Sequence, residues 1–309
     1  MIAEKTKSLR KKRFASIYQD WDLYVLAVPG ILYFIIFKYI PMWGILLSFQ
    51  DYSPFLGFSG SEWVGLKHFN NLFHYEHFWR LMKNTLLISF YQLVFFFPVP
   101  IIFALLLNEI RKLFFKRIVQ TVIYLPHFIS WVVIASMTYV LLSGGGVVNH
   151  LIQEAGGQTV NFLSAPDMFR TLIVSQDIWK EAGWGTIIYL AALAGVDPML
   201  YEAAVVDGAN RWQQLRHITL PTIRSTIIIL FLLRLGHILD VGFEQIFLML
   251  NNLVLNVGDV FETFVYSKGL IGGQFSFATA TGLFKSVISL IILAVANWLT
   301  KKFGEEGIY

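Results

Sequence analysis

The sequence contains no cysteine among its 309 residues, which excludes disulfide bonds, thiolate nucleophiles and cysteine-ligated metal sites. It has few charges as well, since Asp, Glu, Lys and Arg make up 14% of the chain. The pattern G-x-x-x-x-G-K-[ST] is missing, so the chain has no P-loop for nucleotide phosphates. Apolar residues, by contrast, reach 56%, and the mean hydropathy is +0.61. Such a composition predicts an integral membrane protein.

Six apolar runs are each long enough to cross a bilayer as a helix, which takes about 20 residues. We therefore expect an all-α membrane protein with one transmembrane domain over residues 23–309, preceded by a basic tail over residues 1–22. No internal repeat or linker indicates a second domain. The expected spans cover residues 23–49, 85–107, 118–142, 171–193, 223–250 and 277–300.

Basic residues are concentrated at the two chain ends and in the segments that follow the second and fourth spans. Examples from these four places are Lys11, Arg117, Arg211 and Lys301. By the positive-inside rule, both termini and the segment after the fourth span are expected in the cytoplasm. The first span is too long for a signal peptide and is expected to remain as an anchor. Because the basic clusters adjoin apolar runs, they favour contact with membrane lipid over binding of nucleic acid.

A polar segment between the fourth and fifth spans carries the sequence EAAVVDGANRWQQLRHITLP, residues 202–221. Just before it, Asp197 is a suitable helix N-cap and Pro198 suits the first helical position. Gly208 can take the positive φ of a sharp reversal, and Asn210 offers a second N-cap. The pattern therefore predicts two short helices that meet at a glycine elbow.

This segment resembles the EAA loop of the inner-membrane permease subunits of binding-protein-dependent ABC importers. The resemblance rests on Glu-Ala-Ala at 202–204, Asp-Gly-Ala at 207–209 and the Ile-x-Leu-Pro that ends the segment. In two departures, Leu215 replaces the usual aromatic residue, and Ser225 stands where a second proline often follows. The resemblance implies a type I importer permease fold with six transmembrane helices, in which residues 197–222 form a cytoplasmic coupling loop that docks on an ATPase. The coupling residues would be Glu202, Ala203, Ala204, Asp207, Gly208, Ala209, Leu215 and Pro221.

The first span, YVLAVPGILYFIIFKYIPMWGILLSFQDY, resembles that of the LplB-like permeases of the maltose-type carbohydrate family. The likeness runs over nearly the whole chain and implies import of an oligosaccharide or polysaccharide fragment across the inner membrane of a bacterial cell. It also implies partners, namely a second, homologous permease subunit, two ATPase subunits and an extracellular or periplasmic solute-binding protein. ATP and Mg²⁺ are expected on the ATPase, and neither a cofactor nor an enzymatic activity is expected on this chain.

The fourth and fifth spans contain ionisable residues, which are costly in a membrane and are therefore candidates for the substrate path. Arg234, His237, Asp240 and Glu244 follow one another at intervals of three or four, so they are expected near one helical face. Trp184 offers a flat surface for stacking on a sugar ring. For each residue a structural role, either in an ion pair between helices or as an ordinary core aromatic, is an equally good explanation. The candidates are Lys180, Glu181, Trp184, Arg234, His237, Asp240 and Glu244.

The sequence shows no catalytic constellation and no metal site. His127 follows Pro126 in the third span and has no partner at ligand spacing, which favours a hydrogen-bonded helix residue over a metal ligand. An alternative function is that of an ion-coupled secondary transporter, which needs carboxylates for the coupling ion and usually has an inverted repeat. Asp240 and Glu244 are the candidates for that role, but no repeat is visible.

Overall fold

The computed structural model of the protein describes residues 21–302 together with Gly304 and Gly307. Most of the basic tail predicted over residues 1–22 therefore lies outside the described residues. The described chain is largely helical, and its one sheet is an antiparallel pair of strands, Gln50–Asp51 with Glu62–Trp63. The helical segments are Trp21–Phe34, Ile35–Tyr39, Ile40–Phe49, Gly57–Gly60, Lys67–Phe73, Phe78–Tyr91, Gln92–Phe96, Pro98–Glu109, Leu113–Tyr124, Leu125–Phe128, Trp131–Leu142, Val147–Glu154, Pro166–Ala194, Pro198–Val206, Arg211–Gln214, Leu215–Thr219, Leu220–Thr222, Arg224–Gly236, Phe243–Met249, Leu255–Gly258, Phe261–Val265, Tyr266–Ile271 and Phe275–Lys302.

Several of these segments are long and apolar enough to cross a membrane. Four pass this test singly, and two bent pairs of helices pass it together, so the described residues contain up to six spans. This confirms the predicted class of an all-α membrane protein. The four single spans are Trp21–Phe49, Phe78–Glu109, Trp131–Glu154 and Phe275–Lys302. The bent pairs are Pro166–Ala194 with Pro198–Val206, at 69°, and Arg211–Thr222 with Arg224–Gly236, at 58°.

The run predicted as a third span, residues 118–142, is not one continuous helix. The helix Leu113–Tyr124 tightens into a 3₁₀ turn that contains Pro126, and a new helix begins at Trp131. Ser130 caps this new helix, because its hydroxyl accepts a hydrogen bond from the amide of Val133. Proline has no amide hydrogen to donate and clashes with the preceding turn, which accounts for the interruption.

The run predicted as a fifth span, residues 223–250, is also interrupted. Its helix ends at Gly236, and a second helix begins at Phe243 after a turn in which Gly242 has a φ of +96°. Such a φ is easily adopted only by glycine. The expectation that Arg234, His237, Asp240 and Glu244 share one helical face is therefore wrong, because the helical repeat stops between the first residue and the others.

Three clusters of buried apolar side chains hold the helices together. One of them lies directly beneath the segment 197–222 and joins it to the second, fourth and fifth spans. The sequence folds this way because apolar residues at the ends of these spans nearest the segment converge with those of the segment itself. The buried members of this cluster are Ala104, Tyr189, Leu193, Val196 and Ile223.

Candidate functional site

The segment 197–222, called here the coupling elbow, begins with the predicted helix. The carboxylate of Asp197 accepts a hydrogen bond from the amide of Met199 at 2.9 Å, which satisfies one of the free donors of the first turn. The helix Pro198–Val206 is followed by a turn that contains Gly208, whose φ is +81°. Both the predicted N-cap and the predicted positive φ are present.

The second arm of the coupling elbow starts at a capping box. The side chain of Asn210 accepts from the amide of Gln213 at 3.0 Å, and the side chain of Gln213 accepts from the amide of Asn210 at 2.8 Å. Two unpaired helix donors are thereby satisfied by neighbouring residues. The shape of the elbow is therefore encoded locally in the sequence.

Two contacts fix the coupling elbow to itself and to the membrane helices. The hydroxyl groups of Tyr201 and Thr219 lie 2.9 Å apart and join the two arms. Arg211 forms an ion pair with Glu109, the last residue of the helix Pro98–Glu109. Together with the buried cluster beneath it, these contacts connect the elbow to the spans.

The outward face of the coupling elbow combines exposed apolar side chains with two carboxylates. Val206 is 87% exposed and Trp212 is also exposed. Glu202 and Asp207 are exposed, and the described residues provide no hydrogen-bond or ion-pair partner for the carboxylate of either. Of the predicted coupling residues, Glu202, Ala203, Asp207, Gly208 and Pro221 are exposed, and Ala204, Ala209 and Leu215 are half-buried.

A pocket of about 310 Å³ lies between the two arms. Its lining includes Ala204, Asp207, Gly208 and Ala209, which are four of the predicted coupling residues. The small side chains leave room for an inserted group, and Asp207 offers it a negative charge. Such a surface suits a partner that inserts an apolar or basic side chain.

Three of the predicted path residues form one polar group inside the membrane with His127. Glu181 accepts from His127 Nδ1 at 2.7 Å and lies 3.2 Å from the ammonium of Lys180. Lys180 also donates to the backbone carbonyl of His127. The rings of His127 and Trp184 are stacked, with centroids 4.4 Å apart and an interplanar angle of 4°. His127 is thus a hydrogen-bonded residue, as expected, but it lies in a turn between helices.

Arg234 lies in a second polar group that joins the second, fourth and fifth spans. Its guanidinium donates to Gln92 Oε1 at 2.9 Å, lies 4.0 Å from the carboxylate of Asp177, and stacks over the ring of Phe96 at 5.5 Å. Asp177 is 9% exposed, and its Oδ2 has no hydrogen-bond partner among the described residues. The pair is therefore loose, and Arg234 keeps donors that a ligand can use.

His237 and Asp240 lie in a third group, at the break in the fifth span. Asp240 accepts from His237 at 3.1 Å and pairs with Lys285 of the last span. Lys285 also lies 3.1 Å from Glu262, so this one cation serves two carboxylates. Glu244 belongs to none of the three groups and is exposed at the start of the next helix.

Sequence reasoning missed Gln92, Asp177 and Glu262, and it did not place His127 at the site. Asp177 precedes Lys180 by one helical turn, so the same intramembrane charge criterion could have found it. Gln92 carries no charge and could be found only from its distant partner Arg234. No group of three or more His, Asp or Glu side chains within the described residues is placed to hold a metal ion.

Comparisons with known proteins agree with one another and with the family resemblance of the sequence. The sequence model of the family described as "Binding-protein-dependent transport system inner membrane component" matches residues 97–305. The chain is 54% identical to the polygalacturonan/rhamnogalacturonan transport system permease protein YteP of Bacillus subtilis, covering 98% of this chain and 95% of that protein. It is 53% identical to the protein LplB of the same organism, covering 96% and 93%.

A solved structure resembles the whole fold. It is that of a bacterial alginate ABC transporter in complex with an alginate pentasaccharide-bound periplasmic protein. One of its chains aligns with a TM-score of 0.87 and 42% identity, covering 96% of this chain and 99% of that chain. The similarity therefore extends over the spans, the external segments and the coupling elbow together.

Proposed function

Because this chain belongs to the family of binding-protein-dependent transport system inner membrane components, we propose that it imports an acidic oligosaccharide by alternating access. It is the membrane-spanning permease subunit of an ATP-driven carbohydrate importer, with the type I importer permease fold that the sequence predicted. Two similar proteins are named for polygalacturonan/rhamnogalacturonan and for alginate transport. Galacturonate and alginate units carry carboxylates, which supports an acidic glycan as the substrate class.

The geometry of the coupling elbow is the main support for the proposed coupling to an ATPase. It is exposed on one side, bears the carboxylates of Glu202 and Asp207 without partners among the described residues, and rests on a buried cluster beneath it. An ATPase subunit that docks there would move the elbow as a lever when it closes on ATP and Mg²⁺, and the attached spans would repack. ATP hydrolysis belongs to that separate subunit, since this chain has no P-loop.

The complete importer needs further chains. We propose a second permease subunit of homologous but different sequence, two ATPase subunits and an external solute-binding protein. The basic residues favour an orientation with both termini and the coupling elbow in the cytoplasm. Family membership and the relatives give no support to the alternative of an ion-coupled secondary transporter.

The polar groups around Glu181 and Arg234 are the proposed substrate path. Arg234 retains donors for a hydroxyl or carboxylate, and Trp184 is half-exposed with one ring face covered by His127. These groups lie on the fourth and fifth spans, which flank the coupling elbow directly. Movement of the elbow would therefore change the spacing of the path residues.

Transport by a purified, reconstituted complex tests this function. The tagged chain is expressed with its whole transporter, every co-purified chain is identified, and ATP-dependent uptake of labelled trigalacturonate into proteoliposomes is measured. We expect uptake that requires ATP and the binding protein and that exceeds uptake of a neutral galactotriose. Uptake driven by an ion gradient in the absence of ATP would contradict the proposal.

A further inference from the structure

The first span is almost free of contact with the rest of the described chain. Every residue from Trp21 to Trp43 is exposed, and the span packs against the last helix, Phe275–Lys302, mainly through its final segment, Ile40–Phe49. Most of this exposed surface is apolar, as expected for contact with lipid or with another membrane protein. The surface alone does not distinguish between the two.

Lys38 is the exception on this surface. It is exposed, it lies within the apolar span Trp21–Phe49, and no hydrogen bond, ion pair or cation–π contact joins it to any described residue. One helical turn away on either side are Phe34 and Met42, which are exposed and apolar. The other two intramembrane lysines differ, because Lys180 and Lys285 each have a carboxylate close by.

Lys38 lies so deep in the span that its ammonium group cannot easily reach water or lipid headgroups. Helical rise places it about 25 Å from Trp21 and about 20 Å from Gln50 along the span. The exposed Asp51–Lys67 ion pair lies just beyond Gln50 and marks one membrane surface there. Since half of the hydrocarbon core is about 15 Å thick, Lys38 lies near the membrane midplane, beyond the easy reach of a lysine side chain that snorkels to the surface.

We propose that Lys38 pairs, within the membrane, with a carboxylate on a transmembrane helix of the second permease subunit. An ammonium at this depth needs an anionic partner, which lipid chains cannot supply. The fold itself shows that a permease can offer one, because Asp240 and Glu262 share the single cation Lys285. This inference rests on the proposed function, which supplies the second subunit.

Co-purification of the second permease subunit tests the pairing. In the whole transporter, Lys38→Met should lower the recovered second subunit about tenfold or more, because the partner carboxylate is left unpaired. Lys38→Arg keeps the charge and should retain the subunit. Phe34→Met, one turn away on the same exposed surface, is the matched control for shape and should also retain it.

A charge exchange identifies the partner residue. Lys38→Glu should lose the second subunit, and one Asp→Lys or Glu→Lys change within the spans of that subunit should restore it. The pairing is overturned if Lys38→Met retains the subunit at the wild-type level, or if no charge exchange restores what Lys38→Glu loses. If the unaltered chain brings down neither an ATPase nor a second permease subunit, the proposed function itself fails, which separates the two results.

Discussion

Lys180 is the most deeply buried cation of the described chain, and a few oxygen atoms nearby stabilise its charge. It is 6% exposed, and its partners are the carboxylate of Glu181 and the carbonyl of His127. Removing one member of a buried ion pair leaves an uncompensated charge, whereas removing both members can be nearly neutral. Substitutions at these two positions can therefore separate a structural role from a role in transport.

Glu181→Gln should destabilise the protein by about 3 to 5 kcal/mol, because it leaves Lys180 without its counter-charge. The double variant Lys180→Met, Glu181→Gln should recover most of this loss. If the group also contacts substrate, uptake should stay low in the double variant. Thermal unfolding of the purified complex and uptake into proteoliposomes measure the two effects.

A matched control for this pair is Trp179→Phe, a conservative change on the same helix at an exposed ring. It should leave both measurements near the wild-type values. Full uptake by the double variant would show that Lys180 and Glu181 form a structural pair only, and the substrate path would then have to exclude them.

Asp259, which lies outside the spans, should make the stability of the protein depend on pH. Burial raises its pKa above the usual 3.8, and the hydrogen bond from Thr263 and the charge of Arg80 oppose this only in part. The folded protein therefore holds the proton more tightly than the unfolded chain, so stability should increase as the pH falls through the raised pKa toward 3.8. Asp259→Asn should flatten this slope in unfolding measurements between pH 7 and about pH 4. An unchanged slope would rule out Asp259 as its source.

At the scale of single elements, the sequence predicts best where the signals are local. Each of the caps at Asp197 and Asn210 and the turn at Gly208 depends only on residues within about three positions of itself. The structure contains all three features. The breaks after Tyr124 and Gly236 were missed, because apolar composition does not tell a continuous helix from two helices joined by a short turn. Pro126 and the glycines at 236 and 242 were the available signals.

Two substitutions in the coupling elbow should act differently, one on the turn and the other on the docking surface. At Gly208 a Cβ would meet no atom of this chain within 4 Å, but the φ of +81° opposes any L side chain. Gly208→Val should therefore cost about 1 to 2 kcal/mol and alter the turn. If Glu202 contacts the ATPase as proposed, Glu202→Ala should remove a charge-assisted hydrogen bond worth roughly 1.5 to 3 kcal/mol.

Both changes together should leave the protein inserted and abundant while transport and ATPase retention are lost. Gly145→Val is the matched control, because a Cβ there also meets nothing within 4 Å and the φ is not positive. Quantified co-purification of the ATPase is the measurement. Wild-type retention and transport by the double variant would refute the coupling role of the elbow.

At the scale of the whole molecule, the sequence predicts the structural class but does not predict which residues of different spans contact each other. Composition and run length predicted a helical membrane protein, since a bilayer imposes both. The contacts of His127 with Glu181 and of Gln92 with Arg234 join residues 54 and 142 positions apart. No periodicity within one span determines which residue of another span faces it, so these polar groups needed the assembled fold.

The orientation of the whole molecule in the membrane is the last expectation that can be tested directly, and the absence of cysteine makes the test simple. A single cysteine can be introduced without first removing others. Val206, on the coupling elbow, and Phe55, between the two strands, are 87% and 99% exposed. If the basic residues set the orientation, a membrane-impermeant maleimide added to intact cells should label Phe55→Cys and should label Val206→Cys only after the membrane is opened. Labelling of Val206→Cys from outside intact cells would reverse the topology and would remove the coupling elbow from the reach of any cytoplasmic ATPase.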